Sequence, residues 1–156
     1  MNVPSAVRCV IAAGIACSFS ALSHGTEHPP GRIGNPAGNQ QFQRIRYNPA
    51  LDDYLLFYSD GRALVAHLST DGDFHNQVEL STNIGVTHVN AAYNPDDQTF
   101  LVVYRRGSTA DIFGRYINTD GTPIGNAFFI GSGNGPTVAY GAAGGRYVVT
   151  WSQFTP

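Results

Sequence analysis

The chain carries a stretch of sequence that occurs twice in full and then begins a third time. The run Tyr93-Asn94-Pro95 repeats Tyr47-Asn48-Pro49, and the Leu-Val-Val-Tyr run at 101–104 repeats the Leu-Leu-Phe-Tyr run at 55–58, both at a spacing of 46 residues. A third copy begins at Thr137. Self-similarity at this spacing is typical of repeat architectures, in which each copy buries its apolar face against its neighbours. The repeat therefore constrains the fold more than any single motif does.

Turn residues divide each copy into short strands. No window of eleven residues shows the apolar spacing of an amphipathic helix, so almost no helix is expected. Asn-Pro and Asp-Gly pairs, such as Asp60-Gly61 and Asp71-Gly72, tolerate the backbone angles of tight reversals. The predicted strands are 43–47, 54–58, 62–68 and 77–80 in the first copy and 89–93, 99–104, 111–117 and 127–130 in the second. The third copy contains only its first two strands, 137–140 and 147–151.

The second strand of each copy is apolar at every position, as the runs at 54–58 and 100–104 show. A half-exposed antiparallel strand would alternate apolar and polar residues, so both faces of these strands are expected to be covered. Four antiparallel strands in a unit of about 40–50 residues are typical of a propeller blade. The sequence predicts an all-β, propeller-like fold of about two and a half four-stranded blades. A two-layer β-sandwich is the alternative, because many short strands with turns occur in both classes.

The N-terminal 23 residues have the pattern of a secretory signal peptide. A positive charge at Arg8 precedes an uncharged apolar run at 9–16, and the small residues Ala21 and Ser23 follow at the positions that a signal peptidase reads. This pattern predicts a secreted or periplasmic protein, and a lipid anchor at Cys17 is the minor alternative. The leader is too short and broken to span a bilayer.

The rest of the chain divides by composition and by repeat. Residues 24–41 are rich in glycine and proline and are predicted to form a flexible lead-in. Blade 1 is assigned to 42–84, blade 2 to 85–134 and a partial third blade to 135–156.

Composition excludes several kinds of chemistry. All nine basic residues are arginines, so reactions that require a lysine amine are excluded. Both cysteines, Cys9 and Cys17, lie in the leader, so the exported chain is expected to have no disulfide and no thiolate metal site. A formal net charge of −2 without a basic cluster argues against a nucleic-acid partner. We expect no cofactor.

Two carboxylates and three histidines are the residues that most invite a catalytic or metal-binding role. Asp60 and Asp111 lie on equivalent connections, and two carboxylates on one rim could act as the acid and base of a glycosidase. The simpler interpretation is that each one orders its own turn. The histidines, His67, His75 and His88, lack metal-ligand spacing and are expected to be exposed strand or loop residues.

One loop differs in length between the two copies. The segment 105–110 is three residues longer than its counterpart in the first copy. Loops on rigid scaffolds often carry binding residues. Arg105, Arg106 and Asp111 are therefore the candidate ligand-binding residues.

The repeat resembles a family of secreted bacterial β-propeller repeats. The matching runs are Ala-Tyr-Asn at 92–94, Phe-Leu-Val-Val-Tyr at 100–104, Asp-Ile-Phe-Gly-Arg at 111–115, Asp-Gly at 120–121 and Tyr-Val-Val-Thr-Trp at 147–151. The resemblance covers about residues 42–156 and implies a propeller fold found in surface, adhesive and enzyme-linked proteins. The first copy departs from it, with Arg-Ala-Leu-Val at 62–65 where Asp-Ile-Phe-Gly would stand. The copy number also departs, since propellers close with four to eight blades.

These observations favour an exported, non-catalytic recognition or adhesion module that binds a glycan or a protein. The alternatives are part of an enzyme-linked propeller, such as a glycoside hydrolase, and a fragment of a larger propeller. Open blade faces at both ends also predict self-association. A truncated propeller is preferred to one completed between chains, because terminal repeats require caps.

Overall fold

A computed structural model describes residues 41–69, 74–107 and 109–153 of the chain. The predicted signal peptide, both cysteines, the lead-in up to residue 40 and the Asp71-Gly72 turn lie outside the described residues. No helix in the described part of the chain has the length and apolar surface that crossing a bilayer demands.

The described chain is built from β-strands, as the sequence predicts. The strands are β1 Gln41–Asn48, β2 Asp53–Ser59, β3 Gly61–Leu68, β4 Phe74–Asn94, β5 Thr99–Arg106, β6 Asp111–Asn118, β7 Pro123–Ser132, β8 Asn134–Gly141 and β9 Arg146–Ser152. A 3-10 turn, Ala142–Gly144, joins the last two. Each predicted strand lies within an observed one, and all strand pairs are antiparallel. The prediction of an all-β fold is confirmed.

Strand β4 belongs to two sheets. Its residues 74–86 pair with β3, and its residues 87–94 pair with β5. The change occurs where Gly85 and His88 have positive φ angles of 80° and 54°. A Cβ on Gly85 would lie 3.3 Å from the Cα of Gly107, so the chain has little room for a side chain at this crossing. The sequence pattern predicts two separate strands here, 77–80 and 89–93, whereas the structure has one continuous strand.

The chain thus forms three successive sheets. Sheet A contains β1, β2, β3 and residues 74–86; sheet B contains residues 87–94, β5, β6 and β7; sheet C contains β8 and β9. Strands β1 to β7 are hydrogen-bonded in linear order, and sheet C has only two strands within the described residues. Sheets A and B have the four-stranded antiparallel composition that the repeat predicts.

Strand β5 shows why the second strand of a copy is apolar throughout. Phe100, Val102 and Tyr104 belong to a core cluster shared with sheet A, which contributes Leu55 and Phe57. The intervening residues face the other way: Leu101 and Val103 form a second cluster with Val138 of sheet C. Every residue from 100 to 104 is buried. Sheet B therefore lies between sheets A and C and is covered on both faces, as predicted.

The contact between sheets repeats in the same orientation. The face of sheet A that carries Leu55 packs on sheet B, and the face of sheet B that carries the equivalent Leu101 packs on sheet C. Each sheet also holds one aromatic pair at matching positions. These pairs are Tyr47–Tyr54, Tyr93–Phe100 and Tyr140–Tyr147, with ring centroids 5.6, 4.8 and 5.1 Å apart. We call the face that carries Leu55 or Leu101 the front of a sheet, and the face that carries the aromatic pair its back.

A buried polar cluster joins sheet A to the turn after β6. One carboxylate oxygen of Asp53 accepts a hydrogen bond from the Asn48 side-chain amide at 2.8 Å, and the other lies 2.7 Å from Nδ1 of His67. The same Asn48 nitrogen donates to the carbonyl oxygen of Thr119 at 2.9 Å. The expectation that His67 would be exposed is wrong, since its exposed fraction is 3%. Strand β3 is covered where His67 lies, and Asp53 supplies the partner that a buried imidazole requires.

Candidate functional site

The three predicted ligand-binding residues do not share one surface. Arg105 and Arg106 are consecutive residues of β5, so their side chains leave opposite faces of sheet B. Arg106 lies on the back, with Tyr104, and directly opposite Asp111 in the β5–β6 pairing. Arg105 lies on the front, where its guanidinium is 3.4 Å from the Thr87 hydroxyl oxygen. The structure thus places Arg106 and Asp111 side by side and separates them from Arg105.

Arg106 lines a groove of about 260 Å³ between sheet A and the outer strands of sheet B. The lining residues come from four strands: Leu80, Ser81 and Thr82 from β4, Tyr104 and Arg106 from β5, Arg115 from β6, and Asn126 and Ala127 from β7. Two of these residues are cations, and the lining described here contains no carboxylate. The lining of the groove therefore combines two guanidinium groups with hydroxyl and amide groups.

The two guanidinium groups are held by the scaffold. Arg115 donates to the carbonyl oxygens of Leu80 at 2.6 Å and Gly125 at 3.2 Å, which ties β6 to both walls of the groove. Its buried Nε has no hydrogen-bond partner among the described residues. The guanidinium carbon of Arg106 lies 3.6 Å from the centroid of the Phe113 ring, a cation–π arrangement. Held guanidinium groups lose less conformational entropy when an anion binds to them.

The hydroxyl of Tyr104 is the least expected feature of the groove. Tyr104 is fully buried, and its hydroxyl has no hydrogen-bond partner among the described residues. A buried polar group without a partner costs about 1–3 kcal/mol. The equivalent residue of the first copy, Tyr58, donates to the side-chain oxygen of Gln77 at 2.7 Å. Only the second copy leaves this hydroxyl without an acceptor.

The strand register explains the difference between the copies. In the first copy Val78 pairs with Val65, and in the second Phe128 pairs with Gly114, which stands at the position of Val65. Ala127 therefore occupies the place of Gln77. An alanine cannot accept a hydrogen bond, so the Tyr104 hydroxyl is left at the wall of the groove.

An exposed aromatic ring lies next to Phe113, the ring that contacts the Arg106 guanidinium. Phe129 pairs with Phe113 across β6 and β7, and the two rings meet edge to face at 5.8 Å. Phe113 in turn lies against Tyr104 and beneath Arg106. The exposed fraction of Phe129 is 59%, so its ring is accessible from solvent.

The two carboxylates considered for glycosidase chemistry are each engaged within their own hairpin. Asp60 accepts a hydrogen bond from the backbone of Arg62 and lies 3.6 Å from its guanidinium. Asp111 accepts a hydrogen bond from the Ser132 hydroxyl at 3.0 Å. These contacts are those of turn-ordering residues. Within the described ranges, no three histidine, cysteine or acidic side chains converge as metal ligands would.

His88 lies on a separate, smaller surface depression with Arg44, Val89 and Pro136. Burial lowers the pKa of His88 below its ordinary value of 6.5, and the positive charges of Arg105 and Arg44 lower it further. His88 is partly buried in the structure rather than fully exposed as expected. The side chain of His75 lies outside the described part of the chain.

This pKa shift predicts a pH dependence of stability. Because the folded chain binds a proton at His88 less readily than the unfolded chain, the unfolding free energy should fall as the pH drops below about 6.5. Urea unfolding on either side of that pH measures the effect. The His88→Asn variant, which tolerates the positive φ at this position, should show a smaller fall. Equal falls in both proteins would assign the effect to other groups.

Comparisons with protein-family models, with curated proteins and with solved structures give no match to this chain.

Of the residues that line the groove, Arg106 was a candidate from the sequence, whereas Tyr104 and Arg115 were not. Both missed residues lie inside strands, where the pattern predicts structural roles. A comparison of the two copies could have found Tyr104. The residue at the position of Gln77 is Ala127, which cannot accept a hydrogen bond from the Tyr104 hydroxyl.

Proposed function

We propose that the chain is a non-catalytic recognition module of an exported, propeller-type protein, and that the groove binds an acidic glycan. The observation that carries the proposal is the buried Tyr104 hydroxyl, which lies in the lining of the groove with the side chains of Arg106 and Arg115 and has no acceptor among the described residues. A carboxylate or sulfate group on a sugar would accept from all three. The export of the chain is part of the proposal and depends on the leader pattern.

The propeller assignment is supported by how the sheets follow one another. In a two-layer sandwich each sheet packs one face on the core and turns the other towards solvent. Sheet B instead packs both faces, its back on sheet A and its front on sheet C. Successive sheets that repeat one contact in one orientation are the arrangement of propeller blades.

An acidic glycan suits the chemistry of the groove better than a neutral one. Arginine binds carboxylate and sulfate-like groups through paired N–H donors, and such charge-assisted bonds are stronger than neutral ones. Phe129 offers an exposed ring on which the apolar face of a sugar can stack. The glycosidase alternative gains no support, because Asp60 and Asp111 are held within their own hairpins.

The test is calorimetric titration with a uronic-acid oligosaccharide and with its neutral, carboxyl-reduced analogue. The chain should bind the acidic sugar more tightly, and binding should weaken with salt. The Tyr104→Phe variant removes only the hydroxyl and should lose about tenfold in affinity or more, since a hydrogen bond to a charged group contributes about 1.5–3 kcal/mol. Arg106→Gln should lose at least as much.

The matched control is Tyr58→Phe, which changes the same position of the first copy. Its hydroxyl is satisfied by Gln77, so this variant should lose stability of about 1 kcal/mol and keep its affinity. Tyr104→Phe should show the reverse pattern, with affinity lost and stability kept. If both variants bind the acidic sugar as the unchanged chain does, the groove is not its site.

A further inference from the structure

The two ends of the stack of sheets expose complementary faces. The front of sheet C carries Val148, the equivalent of Leu55 and Leu101, with Ala139 and Thr150 beside it. Leu55 and Leu101 are buried against the next sheet, whereas the exposed fraction of Val148 is 58%. The front of sheet C is thus the same contact surface without its neighbour.

The back of sheet A carries the residues that correspond to the other surface of this contact between sheets. Ile45, Tyr47 and Tyr54 are equivalent to Ala91, Tyr93 and Phe100, which pack against sheet A within the core. The exposed fractions of Ile45, Tyr47 and Tyr54 are 44%, 50% and 37%. The other apolar residues of this face, Leu56 and Tyr58 of β2 and Leu64 and Leu68 of β3, form a buried cluster of their own. The exposed part of the back is therefore the end of β1 and β2 that holds Ile45, Tyr47 and Tyr54.

The two exposed surfaces lie on corresponding strands of the repeat. Sheet C consists of two strands, β8 and β9, which correspond to the first two strands of a repeat. On the back of sheet A the exposed residues likewise lie on its first two strands, β1 and β2. A two-stranded sheet can therefore cover Ile45, Tyr47 and Tyr54, next to the buried cluster to which Leu56 and Tyr58 of β2 belong.

A contact between sheet C of one molecule and sheet A of another would join the same kinds of side chains as the contact between sheets B and C. Where sheets B and C meet, Tyr140 and Tyr147 of the back pack beside Leu101 and Ala92 of the front. Where sheet C of one molecule meets sheet A of another, Tyr47 and Tyr54 would pack beside Val148 and Ala139 in the same way. Arg146 begins β9 and is exposed, and Asp52 lies in the matching turn before β2 and is exposed too. Their opposite charges fall at the same end of the paired sheets.

We propose that the front of sheet C docks on the back of sheet A of a second copy of this chain, which continues the stack head to tail. Such a contact joins two different surfaces, so it generates a closed ring where the rotation between copies closes and a linear chain of copies where it does not. This inference is independent of the proposed glycan binding, because neither Val148 nor Tyr54 lines the groove.

The test uses two variants that each remove one of the surfaces. Light scattering on a sizing column should give a concentration-dependent oligomer for the unchanged chain. Val148→Arg and Tyr54→Arg should each give a monomer, because a charge placed in an apolar contact cannot be buried cheaply. An equimolar mixture of the two should give a dimer, since each variant keeps the surface that the other lacks. The control Ile124→Arg changes an exposed apolar residue of β7 and should leave the oligomer intact.

Two results would overturn the proposal. A monomeric unchanged chain would leave the open faces to a different occupant, such as further repeats of a longer chain. An oligomer that Tyr54→Arg does not affect, with Val148→Arg monomeric, would mean that sheet C packs on sheet C of another copy.

Discussion

Replacing Phe100 by alanine is expected to lower the unfolding free energy by about 3–5 kcal/mol, a large share of the 5–15 kcal/mol that stabilises a typical domain. Phe100 is fully buried between sheets A and B. Its ring lies 5.8 Å from that of Phe57 and 4.8 Å from that of Tyr93. Alanine would leave a cavity at the contact that joins the two complete repeats, and neither sheet can move to fill it without losing the other contacts.

The matched control for Phe100→Ala is Tyr54→Ala, at the same position of the first repeat. Tyr54 is partly exposed on the back of sheet A and contacts Tyr47, so its removal should cost about 1 kcal/mol. Urea unfolding followed by circular dichroism measures both, at a concentration low enough to keep the chain monomeric. Similar losses for the two variants would show that the sheets do not pack as described.

Replacing Asp53 by alanine should lower the unfolding free energy by about 3 kcal/mol, because each buried group that loses its partner costs about 1–3 kcal/mol. His67 would lose the carboxylate oxygen at 2.7 Å, and Asn48 would lose the one at 2.8 Å. Both side chains are buried, so water cannot easily replace the carboxylate. Asn48 also anchors the turn after β6, so the contact between sheets A and B should weaken at this end.

The control for Asp53→Ala is Asp52→Asn. Asp52 is exposed and accepts a hydrogen bond from the Tyr47 hydroxyl at 2.7 Å, and asparagine tolerates its positive φ of 51°. This variant should change the unfolding free energy by less than about 0.5 kcal/mol. Thermal unfolding of the two variants measures the difference in stability. An Asp53→Ala variant as stable as Asp52→Asn would show that the cluster of Asn48, Asp53 and His67 does not stabilise the fold.

Much of the strand pattern could be predicted from the sequence, for local reasons. Asn-Pro and Asp-Gly pairs end strands through backbone angles that need no tertiary partner. Continuous apolar runs at 54–58 and 100–104 predict burial on both faces, and all of these residues except Tyr54, which is partly exposed, are buried. At such positions the apolar residue type is enough to predict burial, because the prediction does not require knowing which element covers the strand.

Other features depend on which strand lies opposite, and a single sequence does not reveal this. The two apolar segments of β4 are one strand that leaves sheet A at Gly85 and enters sheet B. His67 is buried because Asp53, fourteen positions away, lies across the β2–β3 hairpin. Arg105 and Arg106 looked like one loop cluster, but the strand extends through both and sends them to opposite faces.

The sequence by itself determined the spacing of the repeated segments and the positions of the strands, because turn residues and apolar runs are local properties. Only the tertiary structure decided which of those faces is filled. Tyr54, Phe100 and Tyr147 stand at one position of the repeat, yet Phe100 is fully buried and Tyr54 is partly exposed. The physical reason is the place of each sheet in the stack: sheet B packs on sheets A and C, whereas Tyr54 on the back of sheet A and Val148 on the front of sheet C are exposed.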